Sequence, residues 1–135
     1  MIESTSQFIA LVERDDEEAR HDLRYREATE ATWLEILRSD DHYVRIVTLN
    51  KTLPESILRH LSRHGSSEVR VDIANRRGLP VDVFETLALD VDESVRARIA
   101  WNKKTPAEVL KQLASDTESI VSEPALKRLS QLGLN

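Results

Sequence analysis

Four arginines, Arg20, Arg45, Arg70 and Arg96, stand 25, 25 and 26 residues apart. A guanidinium is a planar fork that grips carboxylates or phosphates bidentately. A row of them at fixed spacing therefore makes either a set of internal ion pairs or a ligand-binding surface. Internal pairing is the favoured reading, because Asp16, Asp41 and Asp92 each lie three residues before the apolar partner of the arginine pair. Ser66 breaks that series and leaves Arg70 as the freer member. Two residues after the arginines, Asp22, Val47, Asp72 and Arg98 form a second column, expected to face solvent. Trp101 is expected to pack under the adjacent loop. If exposed beside Arg98 and Lys103, it would make a binding hot spot, a role for which Trp and Arg are enriched. His60 and His64 stand four apart on an expected helix. That spacing can seat zinc, but no third ligand is evident, so a solvated helix face is expected and no metal site is assigned.

Other chemistry is sparse. The chain holds no cysteine, which removes disulfides, thiolate metal sites and a cysteine nucleophile. No phosphate-binding glycine loop, nucleophile elbow or paired-carboxylate motif is present. No catalysis and no cofactor are expected. The net charge of −5 argues against a general nucleic-acid binder, which needs a surplus of Lys and Arg. No apolar run approaches the length of a membrane span. A cytoplasmic protein is the expectation.

The elements that position these residues repeat. Val44-Arg45, Val69-Arg70 and Val95-Arg96 are each followed by an asparagine (Asn50, Asn75, Asn102) and then a proline (Pro54, Pro80, Pro106). Apolar residues follow each proline at +3, +4 and +7, the stripe of one helix face. A period in this range points to a repeat architecture. Each unit accommodates two helices. The first is short, about two turns from the Val-Arg pair, burying the Val and the residues four and five later, Thr48 and Leu49 among them. The asparagine is expected to close it in a left-handed cap. The second, longer helix starts with the proline at its first position, and Thr105 with Glu108 reads as a capping box. The β-horseshoe of leucine-rich repeats has a similar period, but the slot before each asparagine lacks its L-x-L alternation.

The segments from Val69-Arg70 to Asn75, and from Val95-Arg96 through Asn102, Thr105-Pro106, Glu108, Leu110 and Leu113-Ala114, resemble leucine-rich repeat variants, an α-solenoid family similar in style to HEAT repeats. The resemblance spans roughly residues 19–119 and is weakest in the first unit. It implies alternating short, often 3₁₀, and longer helices, and an interaction scaffold without a common chemistry. The iron–sulfur function known in that family needs cysteines and does not transfer.

The fold expected is thus all-α, a right-handed α-solenoid in one domain. Residues 1–18 form an N-terminal cap helix, 19–43, 44–68, 69–94 and 95–119 the repeats, and 120–135 a C-terminal cap. Pro124 is expected to interrupt the short helix of that cap, leaving a last amphipathic helix through Leu126, Leu129 and Leu132. Acids precede each short helix and bases follow it, which complements the helix dipole. The bases also make a candidate basic edge of Lys51, Arg76, Arg77, Lys103 and Lys104. The function expected is protein–protein recognition through the short-helix face: Arg45, Val47, Arg70, Asp72, Arg96, Arg98 and Trp101. One alternative is phosphate-backbone binding by the basic edge. Another is an enzyme subunit whose site is assembled across repeats.

Overall fold

The computed structural model describes residues 1–134. Among them the regular structure is entirely helical. The chain divides into two compact units, Met1–His60 and Leu61–Asn135.

In the first unit, α1 (Thr5–Arg14) packs on α2 (Glu17–Tyr25) and α3 (Glu30–Ser39). A 3₁₀ turn (Asp41–Tyr43) leads into the single-turn α4 (Val44–Val47), and both pack on α3. Ser4, Asp16 and Thr29 cap the first three helices through side-chain oxygens that accept N–H bonds from Gln7, Ala19 and Thr32. Phe8 and Trp33 are fully buried, and Phe8 meets the rings of Trp33 and Tyr43 edge-on at 6.4 and 5.7 Å. Helix α5 (Glu55–Leu61) closes this unit, its last residue counting with the second.

The second unit contains α6 (Ser67–Ala74), α7 (Val81–Ala88), α8 (Glu93–Trp101), α9 (Ala107–Leu113) and α10 (Ser119–Gln131). Its order is regular: α6 packs on α8, α8 on α10, and α7 on α9. Each helix also touches its sequence neighbour. The core lies where the spacing placed it. Val69, Ile73 and Ala74 of α6 and Val95, Ile99 and Ala100 of α8 are buried, as are Val83, Phe84 and Leu87 of α7 and Val109, Leu110 and Leu113 of α9.

Several expectations fail for definable reasons. The alternation of short and longer helices does not hold here: α6 and α8 have 8 and 9 residues, α7 and α9 have 8 and 7. Regular α-helix at the Val-Arg pair accommodates all three buried positions, so no shortening is required. Pro80 and Pro106 stand one residue before their helices, in extended backbone. Thr105 consequently does not cap α9. Its buried hydroxyl donates to the Ile99 carbonyl at 2.6 Å, fastening the end of α8 instead. None of the three asparagines is left-handed; among the described non-glycine residues only Asp15 has positive φ. Leu49 is exposed and Thr48 buried. Pro124 does not interrupt a helix, since α10 runs unbroken through it. It stands six residues into α10, against one turn rather than against a long preceding helix. Leu126 and Leu132 are exposed, and Leu129 alone of that set is buried.

Candidate functional site

The arginine row is largely structural, in a geometry the spacing did not foretell. Arg70 donates from Nε and Nη2 to the two carboxylate oxygens of Asp90, at 2.8 and 3.2 Å. Its Nη1 donates to the carbonyls of His64 and Gly65 at 2.7 and 3.2 Å. Arg96 repeats the pattern with Asp116 at 2.8 and 3.3 Å and the carbonyls of Asp90 and Val91 at 2.8 and 3.4 Å. Each aspartate also accepts the N–H two residues on, from Asp92 and Glu118. The pair side chains are only 13% and 7% exposed for Arg70 and Asp90, and 17% and 12% for Arg96 and Asp116. The Arg96 hydrogen bond holds the Asp116 carboxyl below its usual pKa, against the upward push of burial.

Arg70 is therefore the opposite of free, and the acid it uses lies 20 residues downstream rather than four upstream. Asp16 and Asp92, two of the three acids expected to pair, cap helices instead. Each accepts a backbone N–H, from Ala19 and Ser94, which lowers its pKa. Arg20 bonds the carbonyl and carboxylate of Asp15 at 2.6 and 3.0 Å.

Two asparagines do related work. Asn102 Nδ2 donates to the carbonyls of Ala74 and Arg76 at 2.9 and 2.7 Å, and its Oδ1 accepts the Lys104 N–H. In the first unit Asn50 does the same with the carbonyls of Leu23 and Arg26 and the N–H of Thr52. A helix leaves its last carbonyls unpaired, and here a buried amide about one period downstream satisfies them. Asn75 departs from this pattern and is exposed.

Val47 is corrected outright. It is 0% exposed and belongs to the core, not to a solvent column. Residues three apart share a face of an α-helix, and in α4 that face, with Val44 and Val47 on it, is the buried one. Asp72 and Arg98, at the same slot on regular α6 and α8, are half-buried and exposed. Arg45 and Lys51 are exposed in the first unit. Arg76 of the expected basic edge is half-buried, and burial pushes its guanidinium pKa down.

A group of exposed side chains remains at the end of α8. Trp101 is 62% exposed, so it does not pack beneath a loop. It lines a recess of about 200 Å³ with Asn75, Arg77, Arg98, Asn102 and Lys103. It also lines a second, of about 180 Å³, with Ala100, Lys103, Pro124, Lys127, Arg128 and Gln131. Neither lining contains a carboxylate or a histidine. Among the described residues no acid pairs with Arg77, Arg98, Lys103 or Lys127, whereas Arg70 and Arg96 are tied down. The sequence reading missed Lys127 and Arg128. Their doublet lies 24 residues after Lys103-Lys104, a signal hidden by the assumed break at Pro124.

Among the described residues no group of three histidines, carboxylates or cysteines is placed to hold a metal. His64 uses Nδ1 to accept the Ser66 N–H at 3.0 Å, the turn role that Asp90 and Asp116 play later. No described helix is long and apolar enough to cross a membrane. No family model, curated protein or solved structure matches the chain.

Proposed function

We propose that the protein is a binding module that recognises a protein partner through the exposed end of α8 and carries out no catalysis. The observation that carries this reading is Trp101, a large aromatic left in solvent beside cations without acidic partners. An exposed tryptophan ringed by arginine and lysine suits an interface anchor, since such residues supply most of the energy in protein contacts. Of the short-helix face, Asp72, Arg98 and Trp101 remain the contact residues in the second unit. Arg70 and Arg96 support them from within, and Arg45 remains a candidate in the first unit.

The same proposal includes a right-handed α-solenoid of about 25-residue units, in the manner of leucine-rich repeat variants, and a cytoplasmic location. The solenoid is supported by the recurrence of the Arg–Asp clamp one period apart and of the asparagine bridge two periods apart. It is also supported by the packing of α6, α8 and α10 in succession.

A second reading, binding of single-stranded nucleic acid, is favoured by the same tryptophan, because bases stack on exposed aromatics beside cationic grooves. Affinity capture of the tagged protein from native extract, with and without nuclease, separates the two. A stoichiometric protein that survives nuclease, and is lost with the Arg98→Glu/Trp101→Ala variant, is the expected result. Capture that vanishes with nuclease puts Arg77, Lys103 and Lys104 at the front as phosphate contacts.

A further inference from the structure

The two recesses beside Trp101 differ in chemistry. One is walled by Arg77, Arg98 and Lys103 and suits carboxylates. The other is lined by Ala100, Trp101 and Pro124 together with Lys103, Lys127 and Arg128, and suits an apolar side chain with acids at its rim. They share Trp101 and Lys103, so they adjoin. Their volumes of about 200 and 180 Å³ fall below the roughly 300 Å³ at which small-molecule pockets begin. They accommodate single side chains rather than a whole ligand.

Charge is also distributed unevenly. Residues 61–135 hold eleven acidic and eleven basic side chains, net zero, while residues 1–60 hold thirteen and eight, the whole of the −5. The cations around Trp101 thus sit on an electrically balanced unit, where pairing has consumed Arg70 and Arg96 but not Arg77, Arg98, Lys103 or Lys127.

We infer that this double recess binds an acidic peptide segment of a partner protein, seating an apolar side chain between Trp101 and Pro124 and flanking carboxylates on Arg77, Arg98 and Lys103. The inference rests on the protein-recognition reading above and specifies its partner. A polynucleotide fits less well, since the unit that carries both recesses has no net positive charge with which to hold a phosphate backbone. Charge complementarity steers the approach, and the apolar recess fixes the register.

The test selects a displayed library of random short peptides on the immobilised full chain, with a pool of random single-stranded oligonucleotides in parallel. Enriched peptides are expected to carry two or more carboxylates close to one large apolar residue. On binding they shift the Trp101 indole N–H resonance. Their affinity falls by about tenfold or more in Trp101→Ala and in Arg98→Glu, with the circular dichroism spectrum unchanged. Lys127→Glu, at an exposed position of α10, provides a second variant. Enriched peptides that lack acids, or that bind all three variants as well as wild type, overturn the inference while leaving protein recognition standing. Enrichment of oligonucleotides but not peptides overturns both. Enrichment of neither also overturns the inference.

Discussion

Arg70 and Arg98 show how differently one residue type behaves two slots apart. The guanidinium of Arg70 makes four hydrogen bonds inside the fold, and that of Arg98 makes none among the described residues. Breaking a largely buried pair leaves its other member charged and desolvated. Arg96→Ala and Asp116→Asn are therefore each expected to cost about 1–3 kcal/mol, less than a fully buried pair because both side chains keep some water. Urea unfolding of both single variants and the double variant checks this. The double variant should cost clearly less than the sum of the singles, and simple additivity would show that the pair is not coupled.

At the scale of the element, the ends of α2 and α6 depend on an asparagine from about one period downstream. Asn102 holds the last carbonyl of α6 and one in the turn after it, so Asn102→Ala leaves the carbonyls of Ala74 and Arg76 without their amide and should destabilise by about 1–3 kcal/mol. Asn75→Ala, at the same slot but exposed, should change stability by no more than about 0.5 kcal/mol. Equal effects in thermal unfolding would remove the bridge as the cause. Helix α10 offers a parallel contrast. Leu129 is buried while Leu126 is exposed. Leu129→Ala should cost about 2–5 kcal/mol and Leu126→Ala under about 0.5 kcal/mol. Comparable denaturation midpoints for the two would contradict the observed face of α10.

For the molecule as a whole, three carboxyls, Asp16, Asp92 and Asp116, have pKa values held below 3.8. A carboxyl with a depressed folded pKa binds fewer protons folded than unfolded between the two values. Its stabilisation is complete above the unfolded pKa and is lost as pH falls through the folded one. Stability should thus begin to fall as pH drops to about 4. Asp116→Asn should flatten that acid limb while lowering stability at neutral pH. An acid limb as steep in the variant as in the wild type, in denaturant titrations from pH 7 to pH 2.5, would exclude Asp116 as a contributor. Asp16 and Asp92 are more exposed, and solvent screening makes their part smaller.

The sequence by itself determined the helices and their buried stripes, because apolar residues three, four and seven apart have one way to leave water together. It also singled out the arginine slot, the asparagine slot and Trp101. Only tertiary structure decided what each does. Arg70 and Asp90 are 20 residues apart, and nothing in local spacing selects that aspartate over Asp92, which caps a helix instead. Val47 and Asp72 share a slot in the repeat, yet Val47 lies in the core and Asp72 is half-buried. Lys127 joins Trp101 only because α10 continues through Pro124. Periodicity fixes which face of a helix is apolar. Which polar groups meet across helices depends on packing, and that is set by the whole unit rather than by any window of its sequence.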